Sequence, residues 1–248
     1  MTALQLELRR SWADDDAWQR RLRSDGRMLA ALIPARLWSA HVAVVSRARA
    51  ANANGLILSG STARGRRTAI SDLDYHLIGP SIEREDLPYE LDLHVLSRQE
   101  LYADIMAGDD FIQWSLRFGR IVFDDGSIRD ALRRVDQARP WPDAPRKRAH
   151  AMKSLRLAER VVESGDHDAA VGQVRTALSL AGRAFLLGRD VFPMSRAELP
   201  EQLAASGEGG VAEALQSCID GSPSLDELAV AVLKARRLIG ADLAEPLL

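Results

Sequence analysis

Two short segments in the first half of the chain alternate strictly between polar and apolar residues, and this alternation constrains the fold more than any other feature. Residues 72–78 are Asp-Leu-Asp-Tyr-His-Leu-Ile, and residues 90–95 are Glu-Leu-Asp-Leu-His-Val. Because successive side chains of a strand point to opposite faces of the sheet, each segment predicts a strand with one buried, apolar face. The other face carries Asp72, Asp74 and His76 on the first strand and Glu90, Asp92 and His94 on the second.

Two further strands complete the predicted sheet. The apolar run from Leu56 to Leu58 ends at Ser-Gly-Ser, which predicts a buried strand that enters a tight turn. Residues 119–123 predict another strand, closed by Asp-Asp-Gly. Helices are expected over residues 14–51 with a break near Pro34, and from starts at Ser97, Asp109 and Ser127. A small mixed sheet of about four strands with flanking helices is therefore expected.

Three prolines, at positions 140, 142 and 145, mark the best candidate for a linker between domains. After them the chain is predicted to be entirely helical, because apolar residues recur at spacings of three and four. One stripe is Val171, Val174, Leu178, Ala181 and Phe185, and the other is Leu225, Leu228, Val232, Ala235 and Ile239. We therefore expect an α+β protein with two domains, residues 1–140 holding the sheet and residues 141–248 forming a helical bundle.

The composition argues against several classes of function. The formal net charge is −2, whereas proteins that bind nucleic acid usually have a clear excess of Lys and Arg. Cys218 is the only cysteine, so we expect no intramolecular disulfide and place this side chain in the core. The N-terminus lacks an apolar signal core, and no segment has the roughly 20 apolar residues that cross a bilayer. We expect a soluble, cytoplasmic protein that binds neither nucleic acid nor membrane.

The strand residues suit phosphoryl chemistry. Gly60 lets the backbone approach a phosphate closely, and Ser61 offers a hydroxyl and an amide as donors. Asp72 and Asp74 share one face of a strand with Cβ atoms about 7 Å apart, which suits two hard cations roughly 3.5–4 Å apart. Asp92 lies on the polar face of its own strand. Because three converging carboxylates repel one another without cations, the cluster predicts a site for two Mg²⁺ ions.

Three motifs follow one another in this region: Gly-Ser-x-x-x-Gly at residues 60–65, Ser-Asp-Leu-Asp at residues 71–74, and the later strand aspartate Asp92. Together they resemble the DNA polymerase β-type nucleotidyltransferase superfamily, over about residues 40–137. A helical second domain is similar to the build of aminoglycoside and lincosamide nucleotidyltransferases. The resemblance implies that Gly60 and Ser61 hold the triphosphate. It also implies that the Asp-x-Asp pair binds both metals and that Asp92 completes one metal site.

The reaction that the resemblance implies moves a nucleoside monophosphate from an NTP, with ATP favoured, to a hydroxyl of a small molecule. Pyrophosphate leaves after in-line attack on the α-phosphorus, and catalysis depends mainly on positioning and metal electrostatics. An aminoglycoside-like antibiotic, bound in a cleft between the domains, is the favoured acceptor. A monomer or a homodimer is expected.

Basic residues supply further candidates for contacts with the triphosphate. Arg64, together with Arg66 and Arg67, follows the phosphate turn and is predicted to clamp phosphate oxygens. Lys153 lies in the first helix after the linker, where a lysine of the resembled antibiotic enzymes reaches the triphosphate. The alternative for each of them is a solvated surface charge.

No motif identifies the general base. Glu90 is one candidate, because it lies two residues before Asp92 on the same predicted face, and Glu159 and Glu163 on the first C-terminal helix are the others. His76 and His94 extend the carboxylate faces, but Mg²⁺ prefers oxygen ligands, so neither is predicted to bind the metal.

Two other functions compete with transfer to a small molecule. One is adenylylation of a protein partner, as in toxin–antitoxin nucleotidyltransferases, although the Arg-x-x-x-x-His motif of their usual helical partner does not occur in residues 141–248. The other is an inactive, nucleotide-binding regulator. The sequence leaves open the acceptor and its modified hydroxyl, the preferred NTP, the general base and the oligomeric state.

Overall fold

The computed structural model describes residues 26–67, 71–85, 87–88, 90–138, 141–221 and 223–240. The chain divides into two compact units, and the boundary between them lies at Pro142 and Asp143. The boundary predicted from the sequence, between residues 140 and 141, lies two residues earlier. The first unit holds the sheet, and the described elements of the second unit are helices, the first of which begins at Ala144.

A four-stranded mixed sheet forms the centre of the first unit, which confirms the predicted α+β fold class. Its strands are β1 (Gly55–Leu58), β2 (Leu73–Ile78), β3 (Leu91–Leu96) and β4 (Arg120–Asp124), in the spatial order β3-β2-β1-β4. The central strand β1 is antiparallel to both β2 and β4, whereas β2 and β3 are parallel. As a result, β1 ends at the same edge of the sheet at which β2 and β3 begin.

Helices surround this sheet in the first unit. They are α1 (Gly26–Leu32), a 3₁₀ turn (Ala35–Leu37), α2 (Trp38–Ala50), the short α3 (Gly60–Ala63), α4 (Arg98–Met106), α5 (Asp110–Phe118) and α6 (Ser127–Ala138). The predicted break near Pro34 is confirmed, while residues 14–25 of the predicted helical region lie outside the described residues. In the described ranges no single helix is long and apolar enough to cross a membrane. By length and composition alone, the pair Gly26–Leu32 and Ala35–Ala50, bent by 114°, passes that test together.

Both faces of the sheet are covered, each by its own apolar core. Residues of α1 and α2 pack with Leu56, Tyr75 and Leu93 on one face. Residues of α4, α5 and α6 pack with Ile57 and Ile78 on the other. The prediction that β2 has only one buried face is therefore wrong beyond Asp74. Alternation shows which residues share a face, but it does not show that a second helical layer covers the polar one.

The second unit is a bundle of five described helices. They are α7 (Ala144–Glu163), α8 (His167–Gly188), α9 (Leu199–Ala205), α10 (Gly209–Asp220) and α11 (Leu225–Leu238). Both predicted apolar stripes contribute to its core, as does Cys218, which is buried and whose thiol pKa burial raises. Ser224 caps α11 in a capping box, accepting from the backbone N–H of Glu227 at 3.3 Å.

Candidate active site

The predicted catalytic carboxylates lie where β2 and β3 begin. Asp74 and Asp92 are direct register partners on these parallel strands, so their side chains leave the sheet on the same face. Asp72 precedes β2 by one residue, and its carbonyl oxygen accepts a hydrogen bond from Thr62 Oγ1 at 3.3 Å. Asp72 and Asp92 are exposed, whereas Asp74 is half-buried. The edge of the sheet therefore presents two carboxylates side by side, with a third just before them.

The glycine of the predicted phosphate turn lies directly against one of these carboxylates. Gly60 has a φ of +66°, and a Cβ atom added to it would lie 1.7 Å from Asp74 Oδ2. The backbone N–H of Ser59 donates to the Asp74 carbonyl oxygen at 2.8 Å, which fixes the turn to β2. Ser61 follows on the same turn and is half-buried. A side chain at position 60 would overlap the Asp74 carboxylate in its observed position, so glycine allows this close approach.

The donor chemistry of this edge fits Mg²⁺, since the neighbouring carboxylates offer the oxygen ligands that hard cations prefer. Among the described residues, however, no three Asp, Glu, His or Cys side chains are arranged so that they could hold a metal ion. Asp72, Asp74 and Asp92 therefore do not form a closed ligand set in this structure. Their convergence on two metal ions stays a prediction.

Charged residues lie around the carboxylates, and their pairing could not be predicted from the sequence. Arg36 Nη1 donates to Glu90 Oε1 at 3.1 Å, so the candidate general base is held in an ion pair. Arg67 Nη1 donates to Thr62 Oγ1 at 3.3 Å. Burial and the neighbouring Arg36 lower the pKa of Arg67, while Asp72 and other nearby carboxylates oppose that shift. The edge of the sheet thus has guanidinium groups among its acidic side chains.

Arg64, the basic residue that the sequence favoured, has a different neighbour. Its guanidinium carbon lies 4.7 Å from the centroid of the Phe118 ring, a cation–π contact. Arg36 and Arg67 also lie near the carboxylates, through the contacts of Arg36 with Glu90 and of Arg67 with Thr62. The sequence carried a weak signal for Arg67, which follows the glycine motif, and none for Arg36.

Two histidines follow Asp74 and Asp92 by two residues on the same strands. His76 and His94 are register partners with ring centroids 5.3 Å apart, but their exposure differs: His76 is 1% exposed, and His94 is exposed. His76 Nε2 and Ser115 Oγ of α5 share a hydrogen bond at 2.9 Å. Burial, together with the neighbouring His94, lowers the pKa of His76 to about 3. His76 is therefore neutral at physiological pH, and its role at the site is structural.

The burial of His76 predicts a dependence of stability on pH. Between pH 6.5 and about 3 the unfolded chain binds a proton that the folded protein excludes. Stability is therefore full above pH 6.5 and falls as the pH decreases through this window, by up to about 1.4 kcal/mol per pH unit. In thermal denaturation from pH 7 to pH 4, we expect His76→Gln to flatten this dependence. His150→Gln, at an exposed position, is the control, and equal slopes for all three proteins would contradict the prediction.

The remaining predicted residues belong to the helical unit. Lys153 and Glu163 are exposed on α7, and half-buried Glu159 accepts a hydrogen bond from Arg236 Nη2. Asp166 caps α8 by accepting from the N–H of Ala169 at 3.1 Å. Roles for Lys153, Glu159 and Glu163 in the reaction stay predictions.

Comparison with solved structures gives distant similarities. The chain is similar to a solved nucleotidyltransferase-like protein from Exiguobacterium sibiricum 255-15, with 17% sequence identity and a TM-score of 0.42, over 82% of this chain and 75% of that one. No protein-family model and no curated protein matches the sequence. A likeness this distant carries no argument about activity, so the function has to be inferred from the residues of the site.

Proposed function

We propose that this protein is a Mg²⁺-dependent nucleotidyltransferase that moves a nucleoside monophosphate from an NTP to a hydroxyl of a small molecule. One observation carries the proposal: Gly60 lies against the carboxylate of Asp74, and Asp74 is the register partner of Asp92 on a parallel strand. A turn suited to a phosphate thus adjoins a pair of carboxylates suited to divalent cations. The favoured acceptor is an aminoglycoside-like antibiotic, with ATP as donor, in the cytoplasm.

The residues of the turn and those of the strands would have different roles, one binding the triphosphate and the other the metal ions. The backbone around Gly60 and the hydroxyl of Ser61 would bind triphosphate oxygens, while Asp72, Asp74 and Asp92 would hold two Mg²⁺ ions. Bound there, Mg²⁺ supplies charge stabilisation for the attacking and leaving oxygens. Arg67 is a basic group near the same carboxylates and would offset charge on the triphosphate.

Removal of the acceptor proton is proposed for Glu90. This carboxylate lies immediately before β3, two residues from Asp92, and its ion pair with Arg36 orients it. Glu159 and Glu163, on α7 of the helical unit, stay the alternative candidates. The helical unit is proposed to contribute to acceptor binding.

Pyrophosphate release tests the proposal directly. The purified protein is mixed with each of the four NTPs, Mg²⁺ and a panel of hydroxylated acceptors that includes aminoglycosides. We expect release of pyrophosphate that needs both Mg²⁺ and one class of acceptor, with a mass increase of that acceptor equal to one nucleotide. Release that needs a protein partner instead would indicate protein modification, and binding of NTP without any release would contradict the proposed transferase.

A nucleotide-binding regulator without transfer is the second candidate, and one observation favours it. No three metal-ligating side chains gather among the described residues. A regulator of this kind would bind the NTP through the Gly60 turn without needing the complete set of carboxylates. It would therefore keep its nucleotide affinity when Asp92 is replaced by Asn.

A further inference from the structure

An aromatic side chain lies exposed beside the carboxylate edge. Phe111, in the first turn of α5, is 49% exposed, whereas His76 beneath it is 1% exposed. The ring centroid of Phe111 lies 4.9 Å from that of His76 and 5.8 Å from that of His94. A large apolar ring is thus half open to solvent while it covers a buried polar one, the reverse of the usual arrangement.

The position of this ring is fixed from two sides. Asp109 Oδ1 accepts from the backbone N–H groups of Phe111 and Ile112 at 2.9 and 3.0 Å, which anchors the first turn of α5. From below, the hydrogen bond between Ser115 and His76 holds the imidazole on which the Phe111 ring packs. A ligand that contacts this surface would meet a ring that is already packed on His76.

The two histidines beside the Phe111 ring lie at a defined distance from the carboxylates along the strands. His76 and His94 follow Asp74 and Asp92 by two residues on the same face of the sheet, a step of about 7 Å along each strand. That step is close to the length of a ribose, which separates the phosphates of a nucleotide from its base. A triphosphate bound at the Gly60 turn could therefore place its base at the level of the histidines.

We propose that the exposed ring of Phe111 forms a stacking platform for the nucleobase of the NTP, an inference that rests on the proposed function. The His94 ring, inclined at 79° to that of Phe111, would meet the stacked base edge-on. Flat aromatic side chains stack on any base, because every base presents a π-face. The acceptor is the poorer occupant, because the saturated, polycationic rings of an aminoglycoside need acidic walls. A platform of this kind holds the base by its face and selects weakly among the four NTPs.

Calorimetric titration with two probes tests the platform without relying on turnover. The probes are a non-hydrolysable ATP analogue and inorganic tripolyphosphate, each with Mg²⁺. We expect Phe111→Ala to raise the Kd of the ATP analogue by about 5- to 150-fold, the loss typical of one base–aromatic stack. The Kd of tripolyphosphate, which has no base, should stay unchanged. Phe111→Tyr keeps an aromatic ring and should therefore bind the analogue as tightly as the wild type does.

Two further variants keep the test decisive. Phe111→Leu preserves an apolar cover over His76 and should still lose affinity for the ATP analogue. Met106→Ala, at an apolar position on α4 that is 40% exposed, should bind both probes as the wild type does. Equal loss for both probes, or no loss for the analogue, would overturn the platform. A wild-type protein that binds neither probe would instead overturn the proposed function, and this inference with it.

Discussion

Asp74→Asn is expected to lower nucleotidyl transfer by about 10³-fold or more while the protein remains folded. The carboxylate of Asp74 occupies the central position of the site, against Gly60 on one side and in register with Asp92 on the other. Asn keeps the size of the side chain but removes the negative charge that would bind the metal ions. The measurement is acceptor-dependent pyrophosphate release, with circular dichroism and thermal denaturation as checks on folding.

A carboxylate elsewhere in the same unit provides the control. Asp130 lies on α6, where its surface carboxylate pairs with Arg134 at 3.0 Å, and Asp130→Asn should leave transfer at the wild-type rate. If Asp72, Asp74 and Asp92 act as one set, each single Asn variant should lose nearly as much activity as the triple variant. Wild-type turnover by Asp74→Asn would contradict the assignment of this site.

Gly60→Ala is expected to reduce both transfer and affinity for the NTP by about 100-fold or more. The new methyl group would lie 1.7 Å from Asp74 Oδ2, so either the turn or the carboxylate must move. The φ of +66° adds backbone strain for alanine, and we expect a loss of about 1–3 kcal/mol in the free energy of unfolding. Urea denaturation and calorimetric titration of a non-hydrolysable NTP analogue measure the two effects.

The control for Gly60→Ala separates backbone strain from displacement of the carboxylate. Gly165 has a similar φ of +75°, but a Cβ atom there would meet no atom within 4 Å. Gly165→Ala should therefore cost stability through strain alone and leave nucleotide binding unchanged. If both variants bound the nucleotide as tightly as the wild type, the proposal that the Gly60 turn closely approaches the ligand would be wrong.

Local chemistry made several elements predictable from the sequence. Period-two alternation identified β2 and β3, because a strand with an apolar face must alternate. Ser97 and Glu100 marked the start of α4, where Glu100 N donates to Ser97 Oγ at 3.1 Å, since a capping box satisfies backbone donors within four residues. Apolar stripes at spacings of three and four identified the bundle helices. Each of these signals depends on residues close together in the sequence.

Features that depend on contacts between distant segments could not be predicted in this way. Alternation placed His76 on a polar face, but α5 covers that face, and a residue 39 positions away supplies its hydrogen-bond partner, Ser115. The ion pair of Glu90 with Arg36 joins residues 54 positions apart. The parallel pairing of β2 with β3, which places Asp74 beside Asp92, was likewise not encoded in either strand alone.

Anomalous diffraction from crystals grown with Mn²⁺ and a non-hydrolysable NTP analogue tests most directly whether this edge of the sheet is a metal-dependent nucleotide site. We predict two Mn²⁺ peaks roughly 3.5–4 Å apart, in contact with the carboxylates of Asp74 and Asp92, and a triphosphate against the turn at Gly60. A bound nucleotide elsewhere in the protein, or a nucleotide at this edge with no metal on either carboxylate, would contradict the proposed function.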